Sequence, residues 1–251
     1  MIHKLPNELN IFFGKYQWEE PSTGESGDKI YQINCKDGKS YFLKIAIGSN
    51  QSNLIFENQA LAWIKNKFLA PSVVKFIKEP DVTYLLTTAL EGQDASKFSI
   101  LNISEAEMMK LLANTLRRIH QIPIDNCTMD QGLATRIPQA KKRWELDLMD
   151  KNISDPYESL IQKCNFQEDQ VFTHGDYCLA NIIIGKNNST GLIDLGRAGV
   201  SDRYQDISLL FRSFKYYTSK RFEDIFLSEY GLIDYLDREK IEFYQLLDTF
   251  L

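Results

Sequence analysis

Residues 171 to 199 read VFTHGDYCLANIIIGKNNSTGLIDLGRAG, and the fold turns on how this stretch is organised. Ile182 to Ile184 and Gly191 to Ile193 are short apolar runs separated by Gly185-Lys186-Asn187-Asn188, so the spacing predicts two strands joined by a turn. In an antiparallel hairpin the residue before the first strand lies beside the residue after the second. Asn181 and Asp194 occupy those places, and their side-chain oxygens should converge. Two convergent oxygens that leave other positions to water and phosphate suit a magnesium ion. Asp176 lies in the tight loop just before Asn181, within reach of the same point. Taken singly, each aspartate is better explained as a turn residue and Asn181 as a strand cap. The three together at this spacing point to a metal and phosphate site.

Upstream, Lys29 to Asn34 and Tyr41 to Ala46 alternate as strands across Lys36-Asp37-Gly38-Lys39, a hairpin signal. On the second strand Phe42, Lys44 and Ala46 share one face, and Tyr41, Leu43 and Ile45 the other. A lysine on a largely apolar face is costly unless it meets anions. Leu54, Leu61, Ile64 and Phe68 then recur at helical spacing before Pro71, and Glu57 falls within their stripe. Lys44 and Glu57 would satisfy one another; the plain alternative is two unrelated solvated charges. Val82 to Thr88 is a further apolar strand. The loop Gly24-Glu25-Ser26-Gly27-Asp28 could present backbone N–H groups to phosphate, although its composition is common in loops of any kind.

Gly92-Gln93-Asp94 interrupts the pattern as a connector would. Ser104-Glu105-Ala106-Glu107 has capping-box form, and Met108, Leu111, Leu112, Leu116 and Ile119 give the following helix one apolar face. Residues 139 to 165 are charged and read as helical. The expected fold class is therefore α+β and bilobal: a small β-sheet lobe with one helix over residues 1 to 88, a hinge over 89 to 93, and a larger, mainly helical lobe over 94 to 251. A chain of 251 residues that is 43% hydrophobic has material for two modest lobes. No apolar run is long enough to span a membrane, and the first residues lack the organisation of a secretory signal. Cys35, Cys127, Cys164 and Cys178 show no CxxC spacing, so neither a disulfide framework nor a zinc site is expected. These features lead us to expect a cytoplasmic protein, a monomer or weak dimer, with no membrane partner. A net charge of −5 disfavours a nucleic-acid partner and favours a cationic small molecule.

The order of a glycine/serine loop, a strand lysine, a helix glutamate, HGDxxxxN, IDxGRxG and DRYQD resembles the aminoglycoside phosphotransferases. HGDxxxxN alone also occurs in choline and homoserine kinases. GRAGVSDRYQDI and the near-terminal FYQLLD make the chain most similar to the branch that acts on the 3′-hydroxyl. The resemblance implies a kinase-like fold that uses ATP, with GTP as an alternative, and Mg²⁺. It implies that Asp176 is the catalytic aspartate, orienting the acceptor hydroxyl and accepting its proton, and that Asn181 and Asp194 hold the metal. By the same resemblance Lys44, held by Glu57, contacts the α- and β-phosphates, and Ser26 lies in the loop that covers them. Phe42 stands where the family stacks an aromatic ring on adenine, Thr88 and Leu90 offer hinge backbone to the adenine edge, and His174 is a scaffold residue.

An aminoglycoside is a polycation, so the resemblance implies acids around the acceptor; the candidates are Asp147, Asp150, Asp155, Glu158, Asp248 and the terminal carboxylate of Leu251, the first four being explained at least as well as solvated helix or loop acids. Arg197 and Arg212 are expected beside them, with Arg197 near the transferred phosphate or the loop carboxylates. Ser213, Tyr216 and Thr249 stand where this branch usually carries acids, which implies a narrower or weaker aminoglycoside profile. Two rivals are a kinase of another small alcohol, favoured by the missing acids, and a nucleotide-binding pseudokinase serving as an interaction module. The intact set Lys44, Glu57, Asp176, Asn181 and Asp194 argues against the second.

Overall fold

Alternation along the N-terminal third resolves into one antiparallel sheet in the computed structural model, which describes residues 5–9, 17–18, 22–23, 28–35, 38–145, 156–214, 220–232 and 236–251. Its strands are β1 (Gln17–Trp18), β2 (Ser22–Thr23), β3 (Lys29–Asn34), β4 (Ser40–Ile47), β5 (Val73–Lys78) and β6 (Val82–Thr88). They lie in the order β1-β3-β4-β6-β5, with β2 also on β3. The two faces of β4 part as the period-two pattern requires. Leu43 and Ile45 join Tyr31, Ile33, Tyr84 and Leu86 in an outer core to which Leu5 and Leu9 belong. Ala46 and Leu85 face the other way, into the main core. The sequence reading passed over β5, because its register slips between Val73 and Lys75 and the slip breaks the alternation.

On the inner side, helix α1 (Gln51–Ile64) buries Leu54, Glu57, Ala60, Leu61 and Ile64. It ends where Asn66 turns left-handed at φ +67°, so Phe68 packs from beyond the helix rather than from its stripe. The segment that follows is tied to the second half of the chain, since Leu192 N–H donates to Leu69 O at 2.9 Å. The connector around Gly92 is more ordered than its composition suggests. Gln93–Asp94 forms β7 and pairs with Ile183 and Ile184. Gly92 lies at φ +138°, and a Cβ there would come within 2.3 Å of Ile184 O, so the close approach requires glycine.

Helix α2 (Glu105–His120) opens with the expected capping box: Ser104 Oγ accepts from Glu107 N–H at 3.3 Å, and Glu107 Oε2 accepts from Ser104 N–H at 3.1 Å. Helices α3 (Leu133–Glu145) and α4 (Pro156–Lys163) account for much of the charged middle region. There follow strands β8 (Gln170–Thr173), β9 (Ile182–Ile184), β10 (Thr190–Leu192) and β11 (Gly199–Asp202), then helices α5 (Tyr204–Ser213), α6 (Lys220–Tyr230) and α7 (Arg238–Asp248). β7, β9 and β10 make a three-stranded sheet, and β8 pairs with β11. One large apolar cluster runs from Ala46 and α1 through α2, α5, α6 and α7 and takes in Ile182, Ile184 and Leu192, so the β9–β10 hairpin stands on the main core. The architecture is an α+β, bilobal, kinase-like fold. Among the described residues, no helix is long and apolar enough to cross a membrane.

Candidate active site

The β9–β10 hairpin forms, with its register one residue different from expectation. Gly185 N–H closes onto Ser189 O at 2.8 Å, so the second strand begins at Thr190 and ends at Leu192, opposite Ile182. Ile193, not Asp194, therefore stands across from Asn181, donating its N–H to Asn181 O at 3.0 Å. Asp194 follows at φ +59°, a left-handed conformation uncommon outside glycine and asparagine. Asn181 and Asp194 still sit at the same end of the hairpin. Asn181 Nδ2 donates to Asp176 O at 2.9 Å and to Asp176 Oδ2 at 2.8 Å. With its nitrogen committed to Asp176, the amide of Asn181 has its oxygen left for another partner.

The loop bearing Asp176 is fixed from beneath by a carboxylate. Asp206, fully buried on α5, accepts the N–H of His174 at 2.7 Å and that of Gly175 at 2.8 Å. His174 Nε2 donates to Ile193 O at 2.8 Å while its Nδ1 accepts from Asp176 N–H at 3.2 Å, so both ring nitrogens serve the backbone. Gly175 is at φ +81°, and a Cβ there would fall 2.0 Å from Arg197 O, which draws the IDxGRxG segment against the loop. Asp206 and His120, whose Nε2 lies 3.1 Å from Asp206 Oδ2, were given no role by the sequence reading. The available signal was an acid set beside the apolar Ile207, Leu209, Leu210 and Phe211 of an amphipathic helix, since a buried carboxylate must find donors.

Lys44 links the two halves of the site. Its ammonium lies 2.8 Å from both oxygens of Glu57 and 3.0 Å from Asp194 Oδ1. Burial alone would pull the Lys44 pKa down, but the charges of Glu57 and Asp194 outweigh it and hold the ammonium above the ordinary lysine range. Burial pushes Glu57 up, with Asp194 and Asp28 adding to it and Lys44 opposing. The two 2.8 Å contacts to a charged ammonium hold Lys44 and Glu57 as an ionised pair. Desolvation would raise Asp194, yet Lys44, with His174 and Arg197 behind it, keeps that carboxyl below the usual range. α1 packs over Gly196, where a Cβ would make ordinary contacts of 3.4 Å with Asn53 O and 4.0 Å with Glu57 Cβ.

The remaining nucleotide-side residues fall on the sheet and connector. Phe42 shares the face of Lys44, half-buried between Gln32 and Thr87 in register. Thr88 gives its N–H to Ser72 O at 3.0 Å, and Ala89 gives its own to Ser40 O at 2.8 Å. Those donors are spent, which leaves the Thr88 carbonyl and the Leu90 backbone as the edge a base could use. Leu90 Cδ1 would lie 2.6 Å from a Cβ on Gly191, so this residue packs on the β9–β10 hairpin. Ser26 lies outside the described residues.

The acceptor-side candidates stand in different surroundings. Both oxygens of Asp248 are taken, Oδ1 by Arg197 and Oδ2 by Arg212. Burial would raise its pKa, but the two guanidiniums hold it below the usual range. Leu251 gives its backbone oxygen to Arg143. Ser213 and Thr249 turn their hydroxyls back onto Leu209 O and Leu246 O, at 2.9 and 2.7 Å. Glu158 is exposed on the first turn of α4, while Asp147, Asp150, Asp155 and Tyr216 lie outside the described residues. The donor set at the hairpin end suits magnesium: one neutral amide oxygen and one carboxylate, whose side chain is 54% exposed and already draws a cation to 3.0 Å.

A family model described as the phosphotransferase enzyme family matches residues 17–244. Over 98% of the chain the sequence is 37% identical to an aminoglycoside 3′-phosphotransferase of Niallia circulans, covering 97% of that protein. It is 33% identical to one of Escherichia coli, again over 98% of the chain and covering 95% of the relative. Among solved structures it is similar to an aminoglycoside 3′-phosphotransferase of type VIII, with a TM-score of 0.83 at 28% identity over 97% of each chain.

Proposed function

The chain belongs to the phosphotransferase enzyme family, in its aminoglycoside 3′-phosphotransferase branch, and from that membership we propose that it transfers the γ-phosphoryl group of ATP to the 3′-hydroxyl of an aminoglycoside. The observation that carries this reading is the arrangement around Lys44, an ammonium shared between Glu57 and Asp194 within one hairpin's width of Asp176. Phosphoryl transfer passes through a loose transition state with charge spread over phosphate oxygens, so the protein contributes mainly position and electrostatics. In this reading Asp176 orients the acceptor hydroxyl and takes its proton, and the Asn181 amide keeps the Asp176 carboxylate aimed. Asn181 Oδ1 and the Asp194 carboxylate are the ligands for Mg²⁺, which when bound supplies positive charge to the phosphate oxygens. Lys44 meets the α- and β-phosphates, Phe42 stacks on adenine, the Thr88 carbonyl and Leu90 backbone read its edge, and Ser26 closes over the phosphates. The three-way sharing of Lys44 supports this role, because an incoming phosphate exchanges for Asp194 without breaking the Glu57 pair.

A coupled ADP-release assay over a panel of aminoglycosides, with NMR placement of phosphate on any product, tests the proposal. ADP release with a 3′-phosphorylated product is the expected result, and absence of turnover with every member would overturn it. Within the same assay Glu57→Gln is expected to raise KM for ATP and lower turnover. The change removes the charge that steadies Lys44, and a charge-assisted hydrogen bond is worth about 1.5–3 kcal/mol, so kcat/KM should fall by roughly 10- to 150-fold. Unchanged kinetics would reduce Glu57 to a packing residue of α1.

A further inference from the structure

Among the described residues, three buried guanidinium N–H positions near the acceptor side have no hydrogen-bond partner. Arg136, on α3, is 7% exposed, and its Nε and Nη2 reach no acceptor. The Nε of Arg197 is buried and equally orphaned. Asp248 does not relieve them, since its two oxygens already serve Arg197 Nη2 and Arg212 Nη2. Three guanidiniums thus gather about one carboxylate, and a buried charge without a counter-ion is among the most expensive features a fold can carry. Burial, with Arg197 adding to it, pushes the Arg136 pKa down to about 9. Nε and Nη2 are the donors of one edge of the guanidinium, parallel and spaced to receive two oxygens of one anion. The side chain of Arg197 is 28% exposed and that of Arg212 is 41% exposed, so the cluster reaches the surface while its orphaned nitrogens are themselves enclosed.

We propose that Arg136, Arg197 and Arg212 form an oxyanion subsite, which takes a carboxylate, sulfate or phosphate group on the free edge of Arg136 and the free Nε of Arg197. Arg197 follows Asp194 by three residues, and its carbonyl abuts Gly175 beside Asp176, so the subsite adjoins the acceptor side of the catalytic loop. That placement rests on the phosphotransferase reading; the anion site itself does not. The same cluster repels an ammonium, so acceptors that present a hydroxyl or an anion there are favoured over those that present an amine.

Inorganic sulfate is the probe. Thermal melts of the full chain at saturating Mg·ADP compare sodium sulfate with sodium chloride at matched ionic strength, and sulfate is expected to raise Tm saturably. Arg136→Met deletes a buried charge that shares a single carboxylate, Asp248, with two other guanidiniums, so its Tm in chloride should hold or rise while the saturable sulfate response disappears. Arg136→Lys keeps the charge but loses the fork, and should raise the half-saturating sulfate concentration by at least about tenfold. In the ADP-release assay sulfate should compete with the aminoglycoside and not with ATP. The proposal falls if wild type and Arg136→Met respond equally to sulfate, which marks a general salt effect. It falls equally if Arg136→Met melts lower in chloride with its sulfate response unaltered, or if sulfate competes with ATP alone. Should no aminoglycoside be turned over, the phosphotransferase reading fails by itself, and the melting comparison still decides whether the anion site exists.

Discussion

Replacing Asp176 by Asn is expected to lower kcat by roughly 10²- to 10⁴-fold, the usual span for a positioned acid–base group, with nucleotide affinity nearly unchanged. The substitution is close to isosteric, and its carbonyl oxygen still accepts from Asn181 Nδ2, so the loop and the metal-side amide keep their places. Neighbouring groups are poorly suited to replace the lost base. His174 has both ring nitrogens engaged, one by Ile193 O and the other by the N–H of residue 176 itself. Cys178 is two residues on, but burial and the charges of Asp176 and Asp194 push its thiol up to about 11, so it keeps its proton at neutral pH. Single-turnover measurements separate the chemical step from binding, and near-wild-type turnover in this variant would remove Asp176 from the mechanism.

How much of this was legible in the sequence depended on whether the signal was local. The two faces of β4, the capping box of α2 and the hairpin of β9 and β10 each follow from a few neighbouring residues, and they fold as their patterns predict. The Lys44–Glu57 contact crosses thirteen residues, but both members were marked by the same anomaly, a charge set among apolar positions. Features that depend on register or distant partners were hidden. The turn at Gly185–Ser189 moved Asp194 one place off the pairing, a shift that composition does not encode. Asp248 reads as a candidate ligand for ammonium until Arg197 and Arg212, 51 and 36 residues away in sequence (248 − 197 and 248 − 212), arrive from β11's approach and from α5. Asp206 was quoted within a motif, yet its function as the anchor of the His174–Gly175 backbone is visible only once α5 is packed beneath the loop.

The largest effect on nucleotide binding is expected from Asp194→Ala. The apo protein should tolerate the loss, because Lys44 keeps both 2.8 Å contacts with Glu57 and because Asp194 is one of the charges that burden the buried Glu57 carboxyl. Nucleotide-free thermal melts are therefore expected to match the wild type. The metal-dependent part of nucleotide binding should disappear, since the Asp176 carboxylate at the same end is committed to the Asn181 amide nitrogen and the amide oxygen of Asn181 is one neutral ligand. A ligand present at 100 times its Kd stabilises a fold by about 2.7 kcal/mol, so in melts with Mg·ATP at that level most of this increment should vanish from the variant. Asn181→Ala should weaken binding without abolishing it, because the charged ligand remains, while turnover falls further as the Asp176 carboxylate loses the amide that aims it. Melts of the three proteins with nucleotide, with and without magnesium, separate these effects. A full magnesium-dependent shift in Asp194→Ala would show that the ion is bound elsewhere, and Lys44 would then be paired to Asp194 for structural reasons alone.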